Sequence, residues 1–301
     1  MKLQRLFSLT RQAIDDYPLI EDGDRIAIGI SGGKDSLTLL YALQGLQKFY
    51  PKHFELEAVT VDLGYPGFDL EPIQELCKDL QVPYTVISTQ IGRIVFEERK
   101  EQNPCALCAK LRKGAFNERI RELNCNKVAY AHHKDDVVET MMLSLMYEGR
   151  FHSFSPKTYL DRMDLTVIRP LIYVSDSDVI GFRNKYQLPV AKGPCPADGY
   201  TRRQYVKDLL QQLNRENPGV KDRMFSAIVN GHLEDWPNPL GKSIGDGVFR
   251  LSPIEPHLNS IPNRFPKHKK RSFVILKSHK TPSPMVYTLC FGISSLNVTG
   301  F

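Results

Sequence analysis

No stretch of this chain is an apolar run long enough for a secretory leader or a membrane span. Even its most leader-like segment, Met1 to Ile14, has Lys2, Arg5 and Arg11 set among apolar residues. It reads as an amphipathic helix, and neither as a secretory leader nor as a membrane span. The expectation is a cytoplasmic protein with no membrane segment. Cysteine is sparse as well: six in 301 residues without a secretory signal argue against a disulfide framework. A single Cys-x-x-Cys is present, Cys105 to Cys108, so a zinc site built from two such pairs is excluded. The charge imbalance is small, +6 at neutral pH. That suits a polyanionic partner but is too little to establish one. Internal repeats are absent, which removes solenoids and propellers. Two glycine-rich phosphate motifs are missing too. The G-x-G-x-x-G spacing of dinucleotide sites fails around Gly29, and Walker A fails because Asp35 follows Lys34 and the earlier of its two glycines has no counterpart.

What the chain does have is alternation. Short β-branched runs at Arg25 to Ile30, Leu56 to Leu63, Tyr84 to Thr89, Lys127 to His132 and Thr166 to Leu171 read as strands. Between them, Leu37 to Tyr50, Glu71 to Leu80, Leu111 to Leu123 and Val137 to Tyr147 have helical spacing. The economical fold is α/β: a doubly wound, mostly parallel sheet of about five strands with helices on both faces. With 42 % hydrophobic residues the chain can fill such a core. Three regions are expected: an N-terminal helix over 1–20, the α/β domain over 21–237 with the Cys-x-x-Cys helix inserted in it, and a basic, Pro/Ser-rich extension over 238–301. The extension surrounds Lys267-His-Lys-Lys-Arg271, where periodicity fades. It reads as a poorly ordered tail, with help in RNA binding as the alternative.

Ligands of such a sheet belong at the carboxyl ends of its strands. Ser31-Gly32-Gly33-Lys34-Asp35-Ser36 falls there, between Ile30 and the Leu37 helix. Adjacent glycines turn the backbone tightly and expose amide groups to phosphate oxygens, and the following helix aims its positive dipole end the same way. Lys34 adds a full charge. Asp35 beside a phosphate is repelled unless a divalent cation lies between them, which makes it a magnesium ligand candidate. The motif points to ATP and resembles the signature of the PP-loop ATP pyrophosphatases. That resemblance implies an adenine nucleotide alpha hydrolase-like fold, cleavage between the α and β phosphates, and transfer of AMP to a substrate oxygen.

A second loop, His132-His133-Lys134-Asp135-Asp136-Val-Val-Glu139-Thr140, ends a predicted strand and opens a helix. His133 is a candidate phosphate contact and Asp136 a candidate magnesium ligand. On local grounds, Asp135 and Asp136 are equally good helix caps. Cys105 and Cys108 open a helix carrying Lys110, Arg112 and Lys113, and Cys195 follows Pro194 downstream. Metal, cluster and redox roles are all open to these three. Cys77 and Cys125 read as buried apolar fillers. Three thiolates on a 4Fe-4S cluster would leave one iron open, with sulfide the obvious occupant.

The motifs together resemble the tRNA-cytidine 2-sulfurtransferases: Ser31 to Ser36, Pro66-Gly67-Phe68, Cys105 and Cys108, His132 to Thr140, Arg169-Pro170-Leu171 and Pro194-Cys195, over roughly residues 3 to 235. Where some members have a second Cys-x-x-Cys, this chain has Cys195-Pro-Ala-Asp198. The resemblance implies ATP-dependent tRNA thiolation. The C2 oxygen of cytidine 32 in the anticodon loop is adenylated and then replaced by sulfur. Ser31, Gly32, Gly33, Lys34, Asp35, Ser36 and His133 would bind ATP, Lys34, Asp35 and Asp136 would act in catalysis, and Asp35 with Asp136 would hold Mg2+. Cys105, Cys108 and Cys195 would hold the cluster, with persulfide transfer through the same cysteines as an alternative mechanism. Implied partners are tRNA, a cysteine desulfurase or other sulfide donor, and a second copy of the chain.

For RNA, Lys110, Arg112, Lys113, Arg119, Arg121, Arg150, Lys157, Arg169, Arg202 and Arg203 are candidate phosphate contacts. Tyr147, Phe151 and Phe154 are candidates to stack on a flipped base. Other classes stay open: a 2-thiouridine or lysidine synthetase, or a non-catalytic nucleotide- or RNA-binding module with a structural zinc.

Overall fold

The computed structural model describes residues 1–65, 67–99, 104–191, 202–231, 233, 236 and 237. Pro66, Cys195, Asp198 and the extension over 238–301 lie outside the described residues. The strands are β1 (Asp24–Gly29), β2 (Phe54–Asp62), β3 (Tyr84–Ser88), β4 (Lys127–Ala129), β5 (Lys157–Leu160) and β6 (Leu165–Ile168), in the order β3-β2-β1-β4-β6-β5. Every neighbouring pair is parallel except β5 with β6. The five strands expected from sequence are the five parallel ones, and β5 is an addition. It is a four-residue edge strand, largely half exposed, with no apolar alternation for a periodicity search to detect. A short turn at Asp161–Met163, closed by Asp164 at φ 50°, folds it back against β6.

Alternation along β1 sends Ile26 and Ile28 into one core and Ala27 into another. On the first face lies α2 (Lys34–Gln47), in which Leu37, Leu39, Leu40, Leu43 and Leu46 are fully buried. Each such leucine contributes about 1.5–3 kcal/mol relative to exposure. The N-terminal helix α1 (Leu3–Asp16) turns Leu6, Thr10, Ala13 and Ile14 inward, the i, i+4, i+7, i+8 stripe of an amphipathic helix. It packs on α2, where Gly45 makes room for Phe7: a Cβ there would lie 2.1 Å from the ring. Beside α2 on the same face lies α3 (Glu71–Asp79), through Ile73, Leu76 and Cys77. A single turn, α4 (Ile91–Arg93), continues as a π-helix, Ile94–Arg99. On the opposite face α5 (Pro104–Glu122) packs Phe116 and Ile120 against Ala27, Val59 and Val128. The sheet is thus covered on both faces.

After β4 comes α6 (Lys134–Leu143), which runs on as a π-helical segment, Ser144–Glu148. Three further helices, α7 (Asp176–Tyr186), α8 (Arg202–Glu216) and α9 (Val220–Asn230), extend beyond those expected from the sequence. Each buries only two residues: Val179 and Phe182, Val206 and Leu210, Phe225 and Ile228. Among the described residues no helix is long and apolar enough to cross a membrane.

The direction of strand progression reverses between β1 and β4, since β1 is followed outward by β2 and β4 by β6. A crevice opens at the carboxyl ends of strands flanking such a switch. The loops at Ser31 and His132 both leave strands at this point.

Candidate active site

Gly32 adopts φ +81°, a conformation that costs glycine little, and its carbonyl accepts the Ala191 amide at 3.1 Å. A Cβ at Gly32 would come within 3.2 Å of the Ala191 Cβ, so the loop is also closely packed. Ser36 Oγ accepts the Ser31 amide at 3.2 Å and donates to the Gly33 carbonyl at 3.0 Å, which pins both ends of the turn. No side chain caps the N-terminus of α2, which leaves its positive dipole end open to an anion. Lys34 and Asp35 stand in the first turn of α2, three residues earlier than periodicity suggested.

Lys34 Nζ donates to Asp35 Oδ1 at 2.7 Å and to Asp176 Oδ1 at 2.8 Å. Burial works to lower this ammonium, but the two carboxylates outweigh it and hold it above the ordinary lysine value. Asp176 opens α7, and burial alone would raise its carboxyl. Lys34, Lys207 (3.4 Å away) and His133 bring it down to about 2. His133 is buried, with Nε2 3.6 Å from both Asp35 and Asp176. One ligand atom from each of Asp35, His133 and Asp176 fits within 4.8 Å of the others. Two hard carboxylate donors facing a phosphate loop fit Mg2+, which keeps waters and shares phosphate oxygens.

The sequence reading paired Asp35 with Asp136. In the structure Asp136 has a capping role: its carboxylate accepts the His133 amide at 2.9 Å, while the Asp136 amide donates to His133 Nδ1 at 3.4 Å. Its other oxygen faces Arg203 at 3.7 Å. Asp135, 5 % exposed, accepts the Asp176 amide at 2.7 Å and pairs with Lys221. Burial opposes its ionisation, yet these partners hold its carboxyl below the usual range.

Sequence reasoning missed Asp176, Lys207 and Lys221. For Asp176 a signal existed: Ser175-x-x-Asp178 after a strand is a helix start, and Ser175 Oγ indeed accepts the Asp178 amide at 3.1 Å. Lys207 and Lys221 carry no local signal, because only the packing of α8 and α9 on α6 brings them near.

A cavity of about 270 Å³ opens beside this cluster, lined by Ser31, Asp35, Ser36, Tyr130, His132, Asp136 and Arg203 among others. Tyr130 in its wall stacks on Phe116 of α5, with ring centroids 6.3 Å apart. The first turn of α5 carries Cys105, which is exposed, and Cys108, half-buried and three residues on along the same side. This pair suits a soft metal or cluster with access from solvent. Cys77 and Cys125 are buried, and burial pushes both thiols up to about 11, as befits inert fillers.

Two of the RNA-contact expectations are corrected. Arg169 is buried and donates to the Ser155 carbonyl at 2.6 Å, so it cannot meet a phosphate. Phe154 is half-buried and its ring already packs on His132 (ring centroids 4.7 Å apart) and on the Arg169 guanidinium, 4.9 Å from its centroid.

A PP-loop domain model matches residues 4–213. Over 233 residues the chain is 37 % identical to the tRNA-cytidine(32) 2-sulfurtransferase of Geobacter sulfurreducens, covering 76 % of this chain and 91 % of that protein. To the enzyme of the same name from Geotalea daltonii it is 39 % identical over 230 residues, 75 % of this chain and 91 % of that one. Among solved structures, the U34-tRNA thiolase NcsA from Methanococcus maripaludis with its 4Fe-4S cluster superposes at a TM-score of 0.60. Identity there is 22 %, over 75 % of this chain and 78 % of that chain, so this match speaks for the fold. By motif, by sequence and by topology the chain belongs to the PP-loop family of tRNA-cytidine(32) 2-sulfurtransferases.

Proposed function

We propose that this chain uses ATP to replace the C2 oxygen of a tRNA cytidine, the anticodon-loop cytidine 32 of its relatives' names, with sulfur. The observation that carries the reading is the cluster of Lys34 with the Asp35 and Asp176 carboxylates, set beside a cavity that Ser31, Asp35 and Ser36 line and whose wall residue Tyr130 packs on Phe116 of the cysteine-bearing helix.

The C2 carbonyl is a poor electrophile because oxide is a very poor leaving group. Attack of that oxygen on the α phosphorus expels pyrophosphate and leaves AMP bonded to it. Hydrosulfide then adds at C2 and the C–O bond breaks, with AMP carrying away the oxygen. The amides at the start of α2 hold the departing pyrophosphate, and Lys34 exchanges a carboxylate partner for the developing phosphate charge. Asp35 and Asp176 are the residues that would hold Mg2+, which offsets charge on the triphosphate. His133, fixed by the Asp136 cap, presents Nε2 toward the phosphates. Cys105, Cys108 and Cys195 would hold a 4Fe-4S cluster, which when bound supplies a site for the incoming sulfur.

The test is anaerobic reconstitution with iron and sulfide, then incubation with tRNA, ATP and Mg2+ and nucleoside mass spectrometry. Expected are 2-thiocytidine and one pyrophosphate per thiolation. Ala at Cys105, Cys108 or Cys195 removes iron and product while ATP still binds, and Lys34→Ala does the reverse. Thiolation retained by all three cysteine variants would overturn the assignment.

A further inference from the structure

The segment that follows α6 carries exposed aromatic side chains that the reaction chemistry does not use. The π-helical segment Ser144–Glu148 presents Tyr147, 43 % exposed, and the loop after it presents Phe151, 76 % exposed. This is a built feature. Gly149, at φ +65°, ends the segment and turns the chain, and Ser153 Oγ anchors the far side of the loop by donating to the Val137 carbonyl at 2.9 Å. Phe151 therefore protrudes from a short loop tied at both ends. Exposing a whole phenyl ring to water stabilises nothing in the free protein, whereas an RNA base offers it a π-face.

Chain neighbours link the patch to the cavity. The Arg202 guanidinium lies 4.7 Å from the Tyr147 ring centroid and makes no ion pair among the described residues. The next residue, Arg203, lines the cavity and faces Asp136 and Glu139. Phe154, three residues past Phe151, stacks on His132 in the cavity wall. An aromatic with a cation on one face and solvent on the other, beside a reaction cavity, fits a single-stranded nucleic acid: the base takes the open face and the guanidinium meets phosphate or stacks.

We propose that Tyr147 and Phe151 form a stacking platform for the unpaired anticodon-loop bases that flank the reacting cytidine. They hold the loop open so that the cytidine enters the cavity. The proposal rests on the tRNA-thiolation reading and names the part of the RNA that this surface takes. A sulfur-donating protein is the competing occupant, but the guanidinium on the Tyr147 ring, which has no carboxylate partner among the described residues, favours RNA.

The experiment uses the full chain and an anticodon stem-loop RNA with 2-aminopurine on either side of the target cytidine. Dissociation constants and fluorescence quenching are measured without a sulfur source, and thiolation rates with inorganic sulfide. Phe151→Ala and Tyr147→Ala are expected to weaken RNA binding about tenfold each and to relieve the quenching, with KM rising more than kcat falls. Phe151→Trp restores wild-type affinity to within about twofold, as stacking requires. Tyr159→Ala, which removes an exposed tyrosine on the edge strand β5, serves as the control. Unchanged affinity and quenching in both alanine variants overturn the platform. Phe151-dependent quenching by a chain that forms no 2-thiocytidine supports the platform and sinks the thiolation reading instead. A wild-type chain that neither binds the stem-loop nor thiolates it sinks both.

Discussion

Lys34 Nζ and Asp176 Oδ1 lie 2.8 Å apart, joining the first turns of two helices that leave different strands. The contact completes the phosphate loop. Asp35 alone would leave a single carboxylate beside the triphosphate, whereas Asp35 and Asp176 together present oxygens on both sides of the Lys34 ammonium. On the proposed mechanism, a cation held by these oxygens would free the Lys34 ammonium for the phosphates.

Asp176→Asn is therefore expected to reduce kcat for pyrophosphate release about a hundredfold and to raise the Mg2+ concentration needed for half-maximal rate. Asp136→Asn keeps an oxygen to cap α6 and is expected to cost less than tenfold, with little change in Mg2+ requirement. Steady-state rates across a Mg2+ titration separate the two. Equal effects would return Asp136 to the role first read from the sequence.

The same cluster sets a pH limit. The Asp176 carboxyl is held at about 2 and that of Asp135 is held low by Lys221 and the Asp176 amide. An acid whose pKa is lower folded than unfolded adds stability that is complete above its unfolded pKa, near 4, and lost as pH falls toward the folded value. Denaturation midpoints of the protein without nucleotide or Mg2+ should be flat from pH 7 to about 5 and then fall between about pH 4 and 2, with Asp176 contributing about 2 kcal/mol. Asp176→Asn should flatten part of that fall. An identical pH profile in the variant would show that the pair with Lys34 adds nothing to stability.

How far the sequence reached depended on where the determinants lie. The parallel strands, the Ser31–Ser36 loop and the His132–Thr140 loop were legible because contiguous residues encode them: apolar runs, paired glycines and a helix start. Asp176 lies 142 residues from Lys34 in the chain, and only the β1/β4 switch point brings the two together. No window along the sequence can register such a pair. Arg169 illustrates the opposite error. A basic residue in a motif reads as a phosphate contact until the backbone carbonyl of Ser155 and the ring of Phe154 are seen around it. Edge strand β5 was missed for a third reason, since Lys157 to Leu160 owe their extended form to β6 and to their anchors. Their own propensities say little.

Asp135 separates positioning from chemistry. Its carboxylate never faces the cavity, yet it holds the Asp176 amide at 2.7 Å and ties the start of α9 to that of α6 through Lys221. Asp135→Ala strands a buried amide and an ammonium, and should destabilise by about 2–3 kcal/mol, lowering Tm by roughly 5–10 °C in a domain of this size. Asp135→Asn keeps an acceptor for the amide and loses only the charge on Lys221, so its Tm should fall by less than half as much. If Asp135 acts by aiming Asp176, Asp135→Asn retains nearly normal Mg2+ dependence, whereas Asp135→Ala, assayed well below its Tm, acquires the raised Mg2+ requirement of Asp176→Asn. Calorimetry paired with the Mg2+ titration gives both readings. A Tm loss in Asp135→Ala without the altered Mg2+ requirement would leave Asp135 a purely structural residue.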